Sequence, residues 1–203
     1  MKNKELYGDL KYPWNEARLN KEEMEFLWQA ISETNESHNM SQGLAGNISK
    51  SERLFDKDDW FFNSTLLPLA ETYFYSKWNN YYKYHIEKTK PLPEFVMSAI
   101  WVNYQKQYEF NPIHKHTGLY SFVVFMKIPT HWKEQHEIPI SANSNSPVAS
   151  DFQFVFYNEH HPDHITYTIP LGPEDAGKVL FFPSNLHHQV YPFYGTEEER
   201  ITI

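Results

Sequence analysis

The chain has 203 residues, 17% of them aromatic, and a net charge of −8. That acidic balance argues against a general nucleic-acid binder, which needs basic surface to neutralise phosphates, and so many aromatics exclude a globally disordered chain. Cysteine is absent, so disulfides and thiolate metal sites are excluded and any metal must be held by nitrogen or oxygen.

The length favours a single domain over residues 1–203. The opening stretch "MKNKELYGDLKYPWNE" has no apolar run of signal-peptide type. No segment approaches the roughly 20 apolar residues of a membrane span. The expected setting is cytoplasmic, with no membrane partner. Residues 18–90 read as mostly helical. Asn20 is a plausible N-cap with Glu23 three residues on, and Met24, Leu27, Trp28 and Ile31 fall at helical spacing. A second, aromatic-rich helical stretch follows, with Pro68 near its start or at a kink. Its aromatic stripe reads as packing surface, so 18–90 is expected to form a layer laid on what comes next.

The texture changes around residue 93. "FVMSAIWVNYQ", "YSFVVFMKIP", "DFQFVFYN", "HITYTIPL", "KVLFFPS" and "HQVYPFY" are short runs of β-branched and aromatic residues broken by Pro, Gly, Asn and Asp. This is the pattern of a β-sandwich or barrel. The expected fold class is α+β with a mainly β core over 93–203. The polar stretch 130–150 reads as a long inter-strand insertion of the kind that often covers a site.

His114 and His116 are spaced i, i+2 just before the run "YSFVVFM". On a strand such residues point the same way, so two imidazoles can chelate one metal ion. Later, Gly177 is followed by an apolar run, Pro183, and His188 five positions on. That shape is similar to the second motif of the cupin superfamily, with Asn185 in place of its second Gly. Asn tolerates a left-handed backbone if the turn needs one. Spacing from Pro183 and the pattern His188-x-Val190-x-Pro192 favour His188 over its neighbour His187 as the ligand. Arg200 opens "RITI", with Thr202 on the same strand face, and the intervening "FYGTEEE" reads as a hairpin turn. A guanidinium grips carboxylates through paired hydrogen bonds. The plain alternative pairs Arg200 with Glu197, Glu198 or Glu199. Asn103 and Gln105 share parity within an apolar run, which is unusual for pure core.

Taken together, "LAGNISKS" (44–51), "WVNYQKQYEFNPIHKHTGLYSFVVFMKIP" (101–129) and "VLFFPSNLHHQVYPFYGTEEERITI" (179–203) resemble the phage-type 2-oxoglutarate- and iron(II)-dependent oxygenases, relatives of prolyl 4-hydroxylases. The resemblance implies a double-stranded β-helix, jelly-roll or cupin-like, under the N-terminal helical layer. It implies Fe(II), 2-oxoglutarate and dioxygen, and hydroxylation of an unidentified small-molecule or peptidyl substrate. His114, His116 and His188 would be the catalytic metal ligands. Arg200 and Thr202 would hold the far carboxylate of 2-oxoglutarate, with Asn103 and Gln105 as further cosubstrate contacts. Ser121 and Phe125 are weaker candidates for the barrel lining. Most relatives place a carboxylate two residues after the first histidine, where this chain has His116. An all-histidine site carries no negative charge and also suits zinc, copper, nickel or cobalt. The competing expectations are a cupin-like metal enzyme without 2-oxoglutarate and a non-catalytic β-helix binding domain. Of the other histidines, His160, His161 and His164 with Asp163 form a weak second metal candidate. His131 and His136 are expected at a pocket rim, and His38 and His85 carry no expected role.

Overall fold

The computed structural model describes residues 12–34, 39–76, 94–157 and 163–203. His38, His85, His160 and His161 lie outside them. Two antiparallel sheets face each other. The first six strands to be named form the larger: β1 (Asn15–Arg18), β2 (Lys50–Arg53), β3 (Trp101–Gln105), β5 (Tyr120–Lys127), β8 (Lys178–Pro183) and β10 (Arg200–Thr202). They run in the order β1-β8-β5-β10-β3-β2. The smaller sheet, in the order β4-β9-β6-β7, contains β4 (Asn111–His114), β6 (Phe152–Tyr157), β7 (His164–Ile169) and β9 (His187–Val190). The chain alternates between the sheets, which gives the double-stranded β-helix core.

Strand alternation divides the core in two. Inward-facing Phe125, Phe152, Phe154, Leu180 and Phe182 fill the space between the sheets together with Trp14. Their neighbours Val102, Tyr104, Val124 and Val179 face outward and pack with Leu27, Ile31 and Leu66. Those last three come from the helical layer: α1 (Lys21–Ser32), and a π-helical turn at Phe62–Leu66 that runs into α2 (Leu67–Tyr75). Helix α1 begins as its sequence specifies. Asn20 Oδ1 accepts from Glu23 N at 3.0 Å and Glu23 Oε2 accepts from Asn20 N at 2.7 Å. Pro68 sits in the first turn of α2, where its missing N–H costs nothing. Leu27 and Ile31 are buried, whereas Trp28 stays 37% exposed. Burying a side chain such as Leu27 stabilises the layer by about 1.5–3 kcal/mol.

Three local expectations are corrected. The segment 18–90 is not only helical, because β2 adds to the large sheet by pairing with β3, Ser51 opposite Asn103. The segment "FYGTEEE" is not a hairpin. β9 pairs with β4 and β6, whereas β10 pairs with β3 and β5, so residues 191–199 cross from one sheet to the other. Local turn residues signal a reversal, but they do not say which sheet receives the next strand. Finally, Asn185 is not among the residues with positive φ; the left-handed glycine before β8 is Gly177, at φ 86°.

Candidate metal centre

His114 and His188 face each other across the β4–β9 pair in direct register. Residues opposed in this way carry their side chains on one face, about 5 Å apart at Cβ, so 74 positions of sequence close into one contact. His116 follows the end of β4. Its N–H donates to Ser184 O at 2.8 Å, which ties it to the turn leading into β9. The ring centroids of His114 and His188 are 4.2 Å apart, and His116 lies 5.0 Å from each. One ring nitrogen from each of the three falls within 4.8 Å of the others. His187, the competing neighbour, points away and is exposed.

Two rings are oriented by the backbone. His114 Nδ1 donates to Pro112 O at 2.7 Å, and His188 Nδ1 donates to Leu186 O at 3.0 Å. Each bond fixes the tautomer that leaves the Nε2 lone pair directed into the cluster. His188 is held further by Phe152, stacked at 5.7 Å, and by the edge of Phe182 at 4.9 Å. Burial disfavours the charged imidazoles. It pushes His188 down to about 3 and His116 down to about 4, and it lowers His114 as well, with the neighbouring rings adding to the effect. At neutral pH the cluster is three uncharged nitrogen donors. Three neutral imidazoles can hold a divalent ion such as iron(II) once His116 carries its proton on Nδ1, so the residues fit a metal, although they lack the carboxylate of the usual iron(II) triad.

The cluster opens on a cavity of about 250 Å³ between the sheets. Asn103, Gln105 and Thr202 line it, with Lys115 beside the histidines and Leu44, Ala45 and Ile48 forming one wall. Phe125 also lines it, whereas Ser121 faces a second cavity and hydrogen-bonds Ser184 Oγ at 2.9 Å. Asn103 Oδ1 is buried without a hydrogen-bond partner. An unsatisfied acceptor of this kind is costly and fits a site that receives a ligand.

Arg200 is fully buried and lies behind that lining. It does not pair with the adjacent glutamates: Glu197 accepts from Gln107, and Glu198 pairs with Lys127 at 2.7 Å. Arg200 Nη2 donates instead to Ser150 O at 2.7 Å and Ser150 Oγ at 2.6 Å, while Nη1 reaches Gln105 Oε1 only at 3.4 Å. Its Nε has no partner. The guanidinium thus keeps donor capacity on the side of Gln105, which lines the cavity. Burial lowers its pKa to about 10, against the opposing pull of Asp151, so it remains charged.

Sequence reasoning missed Ser150 and Asp151, which lie at the end of the long polar segment. That segment does not cover the metal cluster. It forms α3 (Trp132–Glu137) and packs at the Arg200 end, where Gln135 exchanges two hydrogen bonds with the Tyr194 backbone at 2.9 Å each. His136 Nε2 meets Asp151 Oδ2 at 2.7 Å, and His131 caps α3 rather than lining the cavity. No local signal marks a loop serine as the partner of an arginine 50 positions away.

Residues 99–203, more than half of the chain, match the family described as "Putative 2OG-Fe(II) oxygenase". Among solved structures, a prolyl-4-hydroxylase from Pseudomonas putida superposes with a TM-score of 0.52 at 13% identity, over 95% of this chain and 90% of that one. At that identity the likeness shows a shared fold. No curated protein matches the sequence. No helix among the described residues is long and apolar enough to cross a membrane. On the family match, with the fold agreeing, the chain belongs to the 2OG-Fe(II) oxygenase family.

Proposed function

We propose that the protein is a 2-oxoglutarate- and Fe(II)-dependent hydroxylase whose iron is held by His114, His116 and His188. The observation that carries this reading is the convergence of three uncharged imidazoles on a cavity that Asn103, Gln105, Lys115 and Thr202 also line. When bound, iron and 2-oxoglutarate supply the oxidising chemistry, with dioxygen as co-reactant. The chain's own part is orientation and exclusion of water. The carbonyls of Pro112 and Leu186 hold two rings in their donor tautomers. Phe152 and Phe182 keep His188 in an apolar, desolvated setting. Arg200 supplies the positive charge for the far carboxylate of 2-oxoglutarate, with Thr202 as a hydroxyl donor. Asn103 and Gln105 line the space between that charge and the histidines.

A metal enzyme that does not use 2-oxoglutarate is the second reading. It is favoured by the two short bonds that Arg200 already makes to Ser150. Anaerobic calorimetry separates the two. Fe(II)-loaded protein is expected to bind 2-oxoglutarate, and in air to convert it to succinate. Metal binding without 2-oxoglutarate binding supports the second reading and overturns the first.

A further inference from the structure

A second cavity, of about 490 Å³, lies against the other side of His116. It sits between the helical layer and the outer face of the large sheet. Phe62, Leu66 and Ala70 form one wall, and Tyr120, Phe122 and Phe181 form the opposite one. The stretch 94–100, which is neither helix nor strand, closes a third side through Phe95 and Met97. The size falls within the roughly 300–1,000 Å³ of pockets that bury small molecules.

The two cavities share part of their boundary. Trp101, His116, Phe122 and Ile203 line both. The Trp101 ring meets His116 edge-on at 6.1 Å, so these two side chains form the partition. Hydroxyl groups line the larger chamber through Ser98, Thr117, Tyr120 and Ser121, but the amide side chains and the lysine are confined to the smaller one. Asn103, Gln105, Lys115 and Thr202 line only the smaller one. Among the lining residues of the larger one, only Glu94 is formally charged at neutral pH, and it is exposed. A charged ligand would lose its hydration there without gaining a buried counter-ion, a cost of several kcal/mol. An apolar ring would meet aromatic faces and edges on three sides.

We propose that this larger chamber is the substrate site, and that it takes an uncharged apolar group of ring size, aromatic or branched aliphatic, seated against Trp101 and His116. The inference rests on the hydroxylase reading for its chemistry but not for its geometry. His116 is 5.0 Å, centroid to centroid, from both other histidines, so a group lodged against it lies alongside the metal. The smaller chamber is left to the anionic cosubstrate. Recognition by this wall suits a free molecule and an apolar side chain on a peptide equally.

The test uses indole as the free probe and N-acetyltryptophan amide as the side-chain probe. Saturation transfer from the metal-free protein to the ring protons is expected, and Mn(II) loading is expected to broaden those protons strongly. Ala99 lines the chamber and is exposed, so Ala99→Trp fills it with little risk to folding. That variant is expected to weaken binding by about tenfold or more, close to 1.4 kcal/mol, with Mn(II) affinity unchanged. Saturation transfer without broadening in Mn(II)-loaded protein places the probe elsewhere and overturns the proposal. So does binding that Ala99→Trp leaves intact, or no binding by either probe. Response to only one probe identifies the source of the apolar group. Failure of the protein to take up Mn(II) sinks the metal reading separately, while the metal-free arm still decides the chamber.

Discussion

His116 Nε2 lies 3.2 Å from His188 Nε2. His188 Nδ1 carries the proton donated to Leu186 O, so its Nε2 accepts, and His116 must donate. A metal bound at both nitrogens replaces that hydrogen bond, and His116 must then move its proton to Nδ1. His114 and His188 are already in their ligating tautomers through backbone carbonyls. As the proposed ligands, the three histidines should therefore contribute unequally. His114→Ala and His188→Ala are each expected to lower Co(II) affinity by more than about 100-fold. His116→Ala is expected to have a smaller effect. Titration followed by the visible spectrum of Co(II) measures all three. Equal losses would contradict the preorganisation argument.

The histidine cluster was legible because its signals are short-range. An i, i+2 pair needs only a strand to align it, and the Gly177-to-His188 spacing reports a strand and a turn. The parity of Asn103 and Gln105 was readable in the same way: both line the cavity, while Tyr104 between them packs outward. The surroundings of Arg200 were not legible. Its strand pairs with β3 rather than β9, and its hydrogen-bond partner comes from the end of a polar loop. Such pairings depend on which strand edges are free after the sheets assemble, a non-local property. β2 was hidden for a similar reason. "KSER" has no alternating apolar pattern, and it becomes a strand by pairing with β3 at the sheet edge.

Ser150 adopts φ 74° although it is neither glycine nor asparagine. The left-handed backbone costs about 1–2 kcal/mol. It presents both the carbonyl and the hydroxyl of one residue to Arg200 Nη2, and hydrogen bonds to a charged group contribute about 1.5–3 kcal/mol each. Ser150→Ala loses the hydroxyl bond and keeps the strain, so a destabilisation of about 2 kcal/mol is expected. Ser150→Gly loses the same bond but relieves the strain, and it should be more stable than Ser150→Ala by about 1 kcal/mol. Urea unfolding of the two variants gives the difference directly. Ala at least as stable as Gly would exclude a left-handed Ser150.

Arg200 Nε has no partner and Nη1 meets Gln105 Oε1 only at 3.4 Å, which leaves the guanidinium short of acceptors. A cosubstrate carboxylate bound there would displace the 3.4 Å contact with Gln105 and restore full hydrogen bonding. Arg200→Ala in metal-loaded protein is expected to weaken 2-oxoglutarate binding by about 2–5 kcal/mol. Thr202→Ala removes one neutral hydrogen bond and is expected to cost about 1 kcal/mol. Calorimetry reads both, with Co(II) affinity as the control for folding. Unchanged affinity in Arg200→Ala would rule out Arg200 as the carboxylate anchor.

Asp151 is fully buried beside Arg200 and His136, and its Oδ1 has no partner. Desolvation raises its pKa from 3.8 to about 6, even though His136 and Arg200 both pull it down. A carboxyl raised in this way keeps its proton longer in the folded state than in the unfolded one. Its contribution to stability is therefore complete below pH 3.8, and it is lost as pH rises through about 6. At roughly 1.4 kcal/mol per pKa unit, the change approaches about 3 kcal/mol. Asp151→Asn cannot titrate, so the stability difference between wild type and variant should move by that order between pH 4 and pH 7, in the variant's favour as pH rises. Chemical unfolding at a series of pH values, repeated in a His136→Gln background because His136 contacts Asp151 at 2.7 Å, separates this group from the other titrations. A flat difference across the range would mean that the carboxylate is satisfied in its charged form, with Arg200 as a true ion-pair partner.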